Sequence, residues 1–152
     1  EDAQVTLFHE KFSIHRYQKN IFISNRQLEN VCDSIEQEFI WAGEAYLDFP
    51  QFNGRLHFEV CDSGICAQWL RQTRLTLHFR KGGERLRLSS NRPSRSLKSH
   101  YQALNIPFWI RKISPLISHA GDLVFAAGIG IQCTYFAPEG HSSINLKWVA
   151  NT

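Results

Sequence analysis

The chain contains no methionine and only four cysteines, five prolines and nine glycines among 152 residues. Each shortage excludes something. A translated chain begins with Met, so a start at Glu1 predicts a fragment or a processed form. Of Cys32, Cys61, Cys66 and Cys133, only Cys61 and Cys66 stand close, as C-x4-C. A structural zinc site needs a second ligand pair at similar spacing, so no metal is expected. No apolar run approaches the roughly 18 residues of a membrane-spanning helix. Glu1, Asp2, Glu10 and Lys11 interrupt anything resembling a secretory leader. Reduced thiols, a cytoplasmic location and no membrane partner follow as expectations.

The glycines match no phosphate-cradling pattern. Gly82-Gly83 beside Lys81 lacks the G-x-x-x-x-G-K-[ST] spacing, and Gly128-Ile129-Gly130 leads into a strand-like run instead of a helix. Both read as turn or bulge glycines. The seven histidines form no H-x-x-x-H or H-x-x-E-H pair. No nucleophile elbow surrounds a Ser or Cys. A triad assembled in space would still leave a hydrolase open, and a pocket joining a Ser or Cys to a His would mark it.

What the chain does have is charge, unevenly placed. Residues 1–70 carry five Lys/Arg against eleven Asp/Glu, whereas residues 71–152 carry twelve against three. From Arg71 to Lys112 stand eleven cations and one acid, Glu84. Clustering of this kind reads first as a surface for a polyanion, above all nucleic acid. The alternatives are a solvated basic face, or a protein-interaction domain docking on an acidic surface, such as the acidic first half of the same protein.

Hydrophobic residues make up 43% and aromatics 12%, the composition of a globular chain. Residues 5–24 alternate as a β meander. Residues 26–40 are ambiguous between a helix, from Leu28, Val31, Ile35 and Phe39, and an irregular connector. Ala45 to Phe49, Arg55 to Val60 and Ile65 to Leu70 read as hairpin strands around Pro50–Gly54 and Asp62–Gly64 turns. Leu75 to Phe79 alternates again, and RKGGERLRL at 80–88 reads as a glycine turn and a short strand. From Ser94 the period changes: Leu97, Tyr101 and Leu104 share one helix face, with Asn91 or Ser94 as cap and Asn105-Ile106-Pro107 as stop. Pro107 could open a second short helix. Strands follow at 115–118, 123–127, 129–135 and 144–149. The expected class is α+β: a β-rich segment over 1–72, then a small mixed α+β domain over 73–152.

The candidate polyanion contacts are Arg80, Lys81, Arg85, Arg87, Arg92, Arg95, Ser96, Lys98 and Arg111. Four of them, Arg92, Arg95, Ser96 and Lys98, fall in the first turns of the expected helix. The macrodipole disfavours cations there, so an anion is expected to arrive. Tyr101, Phe108 and Trp109 read as core and not as base-stacking residues. With no RNP or helix-turn-helix motif, recognition of backbone and shape is the expected mode.

RKGGERLRL, then Ser94-Arg95-Ser96-Leu97-Lys98 with Tyr101-Gln102, then Asn105 to Arg111, Ser114 to Ile117 and Val124 to Gly128 together resemble the C-terminal domain of the tRNA(Ile)-lysidine synthase family. That pattern runs basic strand-turn, "KLK" helix, "GIPPW-R", "PLL" and "AAG". The match covers about residues 75–131, in order. Here Asn105 stands where the pattern has Gly, Phe108 replaces its second Pro, and Ser96 opens the "KLK" element. Weaker similarity touches His15 to Gln18 and Leu47 to Gly54. The resemblance implies a ligase that uses ATP, with Mg, and lysine to convert the wobble cytidine of tRNA(Ile) bearing a CAU anticodon to lysidine. It places that chemistry in an SGGxDS-bearing domain whose motif is not in this chain, so no cofactor and no catalytic residue is expected here. It also implies that Arg80, Lys81, Arg85, Arg92, Arg95 and Lys98, with Arg111 beside them, bind tRNA, at the acceptor stem among other places. A homodimer is left open.

Overall fold

The computed structural model describes residues 35–151, together with the backbone of residues 6–8, 12–17 and 20–25. The first strands, β1 (Thr6–Phe8), β2 (Phe12–Tyr17) and β3 (Asn20–Asn25), form an antiparallel meander in that order, as the alternation predicts. Of the segment 26–40, expected as helix or irregular connector, residues 26–34 with Cys32 lie outside the described residues, and Glu36–Phe39 is neither: it is a strand that pairs with Leu75–His78, which leaves Ile35 and Phe39 packed on the core.

Residues 36–150 build two larger antiparallel sheets and a two-stranded ribbon. One, of five strands, has the order β13-β12-β11-β8-β4. Its members are β4 (Glu36–Phe39), β8 (Leu75–His78), β11 (Leu116–His119), β12 (Asp122–Ala126) and β13 (Gly130–Ile131). The other has the order β5-β6-β14-β7, from β5 (Tyr46–Phe49), β6 (Gly54–Cys61), β7 (Ile65–Cys66) and β14 (Ser143–Ala150). The main core draws on both sheets. Leu75, Leu77, Ile117 and Phe125 from the first and Phe49, Leu56, Phe58 and Ile144 from the second belong to one buried cluster. The period-2 pattern explains it: Leu75 and Leu77 point one way, while Thr76 and His78 point to the opposite face. That opposite face carries a second cluster of Leu116 and Ala126 with Leu86, Leu97 and Tyr101.

The structure departs from the sequence expectations in four further places. The strand at Ile65 stops after Cys66 and becomes helix α1 (Ala67–Gln72). Its residues tolerate a helix, and the turn buries Leu70 and sets Trp69 5.1 Å from Tyr135. The strand expected over 129–135 pairs only at Gly130 and Ile131 and then coils into a 3-10 turn, Cys133–Tyr135. The helix expected from Ser94 begins later, as α2 (Leu97–Ala103), and α3 (Phe108–Ile113) follows Pro107. Leu104 and Phe108, expected in the core, are 52% and 57% exposed. Across residue 72, β4 pairs β8, and β14 pairs β6 and β7. Among the described residues no helix is long and apolar enough to cross a membrane.

Candidate nucleic-acid interface

The basic stretch folds into a ribbon, a turn and a short helix. Strands β9 (Arg85–Leu86) and β10 (Arg95–Ser96) pair antiparallel, with Arg95 opposite Leu86 and Ser96 opposite Arg85. Arg87 organises the turn between them. Its Nε–H donates to the carbonyls of Arg92 (2.9 Å) and Ser89 (3.2 Å), and its Nη2 donates to the carbonyl of Ser90. A single planar fork thus serves three backbone acceptors of the turn, of which the Ser89 carbonyl also accepts the Arg92 N–H at 3.1 Å. Arg85 Nη2 donates to the Ser94 carbonyl at 2.8 Å, tying the ribbon across.

Ser96, and not Asn91 or Ser94, caps α2. Its backbone is extended and its Oγ accepts the Ser99 N–H at 3.2 Å. The other end closes as a Schellman motif. The Ile106 N–H reaches the Tyr101 carbonyl at 2.9 Å and the Asn105 N–H reaches the Gln102 carbonyl at 3.1 Å. Asn105 sits at φ 55°, a left-handed backbone that glycine adopts freely and Asn tolerates. Helix α2 is fastened to the sheet by Leu97 and Tyr101. Arg80 and Arg111 lie over the Tyr101 ring at 5.0 and 5.4 Å from its centroid. Arg111 Nε also donates to the Ile106 carbonyl at 2.6 Å.

Tyr101 is fully buried, and among the described residues its hydroxyl, like Arg80 Nε, has no hydrogen-bond partner. Burial pushes its phenol above the usual range, and the Arg80 charge pulls against that shift. The stability this contributes is present in full below the unfolded phenol value of about 10 and is lost as pH rises through the raised folded value. Tyr101→Phe removes the titration. The thermal midpoint of the variant is therefore expected to fall less steeply than that of the parent above pH about 10. Parallel slopes would show that the hydroxyl is not desolvated.

The nine sequence candidates divide by what they already do, and Arg80, half-buried, rests on the Tyr101 ring. Lys81 Nζ meets Glu36 Oε2 at 2.5 Å, and its charge and hydrogen bond hold the Glu36 carboxyl below the usual carboxylate range. Arg74, outside the nine, pairs with Glu38 at 3.5 Å. These two pairs join the basic half to the acidic half across β4 and β8, but both are more than half exposed on average and worth little. Arg85, Arg87 and Arg111 spend N–H groups on carbonyls. Ser96 is the cap. Arg92, Arg95 and Lys98 are exposed and their side chains make no hydrogen bond or ion pair among the described residues. The helix-start expectation needs correction. Only Lys98 lies in the first turn of α2, while Arg95 precedes the cap and Arg92 lies in the turn. No acid occupies that first turn. The cations therefore form a ribbon-and-turn surface, and they do not crowd one helix terminus.

The glycine turn behaves as expected, with Gly82 and Gly83 at φ 101° and 80°. The N–H groups a phosphate would seek are taken: Glu84 accepts from Lys81 N–H at 2.7 Å and from Gly82 N–H at 3.0 Å. Beside it, a polar cavity of about 480 Å³ holds His78 and Ser118. His78 Nδ1 lies 2.7 Å from the Phe79 carbonyl, so it carries the proton, and Nε2, 2.7 Å from Ser118 Oγ, accepts the hydroxyl. This is the approach a hydrolase needs. Ser118, however, stands within a strand, paired with Thr76 and Leu123, and not on the strand-to-helix elbow that exposes a nucleophile. The pair is a satisfied histidine on a sheet face.

Sequence reading missed a second cleft, of about 210 Å³, bounded by Leu88, Pro93, Ala103 and Ile129 with Arg92, Arg95 and His100. Its one signal was Leu104, which the helical period placed in the core.

Residues 75–148 match the family described as "TilS substrate C-terminal domain". The tRNA(Ile)-lysidine synthase of Nitrosomonas europaea is 34% identical over 110 residues, 72% of this chain and 24% of that protein. Its counterpart from Ralstonia nicotianae is 44% identical over 85 residues, 55% of this chain and 18% of that protein. The chain thus spans about a quarter or less of the length of these relatives. Among solved structures, the "Crystal structure of TILS C-terminal domain" superposes with a TM-score of 0.57 at 18% identity. That superposition covers 78% of this chain and 99% of the other, a shared α+β fold.

Proposed function

We infer the role of this surface from one premise: the chain belongs to the tRNA(Ile)-lysidine synthase family, as part of its C-terminal portion. On that premise it is a tRNA-binding appendage that holds the phosphate backbone, at the acceptor stem among other places, for chemistry done elsewhere in the protein. The observation that carries this reading is the set Arg92, Arg95 and Lys98, exposed and without a carboxylate among the described residues. Cations arranged this way lower the free energy of a polyanion by releasing its counterions. Arg85, Arg87 and Arg111 add fixed positive charge even though their N–H groups are engaged, because a donated hydrogen bond leaves the guanidinium ionised.

The whole protein would be an ATP-dependent carbon–nitrogen ligase of the cytoplasm, turning the wobble cytidine of the CAU-anticodon tRNA(Ile) into lysidine with lysine as nucleophile. Among the described residues, the glycine turn is no cradle for ATP or its magnesium. The Lys81 and Gly82 amides already hold a carboxylate. No group of three or more His, Cys, Asp or Glu is placed to bind a metal among the described residues. No adenylation or lysine-transfer step is therefore assigned to them.

A filter-binding titration of tRNA against the chain tests the reading. With about six phosphates touched, log K is expected to fall against log salt with a slope of roughly −5. A flat response would remove the electrostatic argument. Binding of an acidic protein surface in place of tRNA would favour the interaction-domain alternative.

A further inference from the structure

The cleft beside the ribbon joins two kinds of chemistry. Its walls are aliphatic, from Leu88, Pro93, Ala103, Leu104 and Ile129. Its charged members are Arg92 and Arg95, and no acid lines it. Leu104 remains half in water because α2 ends at Ala103 and turns left-handed at Asn105. Leu104 thus stands exposed next to two guanidiniums that make no hydrogen bond or ion pair among the described residues.

We propose that this cleft takes the base of one unpaired RNA nucleotide, with the flanking phosphates against Arg92 and Arg95. The proposal rests on the tRNA-binding reading above and extends it, from a surface that follows backbone and shape to one that also holds a base. Three observations carry it. The volume, about 210 Å³, lies below the roughly 300–1,000 Å³ of pockets for drug-sized ligands and suits a single ring system. The aliphatic walls offer flat contact to a planar base, as the apolar side chains of base-flipping enzymes do. The arginines complement the one feature that separates a nucleotide from a neutral aromatic ligand, its phosphate. His100 adds a selective element. Its Nε2 lies 2.8 Å from the Leu86 carbonyl and so carries the proton. The polar contact the neutral ring can offer an occupant is the Nδ1 lone pair. That lone pair accepts from an exocyclic amino group or a 2′-hydroxyl.

The test uses the 152-residue chain with two probes, a short single-stranded RNA carrying one 2-aminopurine and the same strand in a blunt duplex. Ala103→Phe fills the cleft and leaves every cation in place. Leu104→Gln replaces part of its wall with a neutral polar side chain at an exposed site, leaves the net charge unchanged and guards against a folding defect in the first variant. For the parent chain, the single strand is expected to bind more tightly than the duplex, with quenching of the 2-aminopurine. Each variant is expected to weaken the single strand about five- to a hundredfold, the range for one stacked base, and to change duplex affinity less than twofold. Equal affinity for the two probes, or variants that leave the quenching intact, would overturn the base pocket while the backbone reading survives. If neither probe binds, both readings fall together. Binding of acidic peptide that competes away the single strand but not the duplex would also overturn the nucleotide assignment.

Discussion

Arg95→Glu combined with Lys98→Glu is expected to weaken tRNA binding about a hundredfold at physiological salt. Each phosphate contact releases close to one counterion, which amounts to about fivefold in affinity per contact near 0.15 M salt, and the reversed charges add repulsion. Both side chains are exposed and unpaired among the described residues, so no contact there is lost with them. The stability consequence even has the opposite sign. Lys98 occupies the first turn of α2, where no acid is present, and a carboxylate at that position suits the helix macrodipole better than an ammonium. The double variant should melt at or above the parent temperature while its tRNA affinity collapses and its salt slope shrinks by about 2. Unchanged affinity in the same titration would place the RNA on another face.

Tyr101→Ala is expected to lower unfolding free energy by about 3–5 kcal/mol, the cost of deleting a fully buried aromatic side chain. For a domain whose total stability is on the order of 5–15 kcal/mol, that is enough to populate unfolded chain at modest temperature. The ring is the post between α2 and the sheet, packed with Leu86, Leu97, Leu116 and Ala126. It is also the surface on which Arg80 and Arg111 rest. Its loss should therefore loosen the ribbon and the helix together, and urea unfolding should report it as a lower midpoint. Tyr101→Phe, which keeps the ring and removes an unpartnered hydroxyl, should leave the midpoint near neutral pH almost unchanged. A similar loss in both variants would mean that the hydroxyl, and not the ring, holds the helix.

The local elements were legible where one residue decides them. Leu75 and Leu77 alternate and are buried on one face. Pro107 opens α3, and Asn105 supplies the left-handed residue that ends α2. The errors occurred where two local solutions have similar energy. Ala67 to Gln72 can extend a hairpin or coil, and burial of Leu70 chose the helix. Ser94 and Ser96 are equally good caps by type, and pairing of Arg95 and Ser96 in the ribbon left only Ser96 free to serve. The extra separation of α2 from Arg92 followed from that choice.

The sequence by itself determined the charge asymmetry, the basic run between Arg71 and Lys112, the α+β class and the kinship, because these are properties of residue type and order. Only the tertiary structure decided which cations remain available. Glu36 neutralises Lys81 from 45 residues away, while Arg87 is drawn into its own turn and Arg92, Arg95 and Lys98 are left exposed. The same holds for the apolar cleft, whose walls come from positions 88, 93, 103, 104 and 129. Charge is counted along the chain, but screening, hydrogen bonding and cavity shape act through space, over distances that sequence separation does not record.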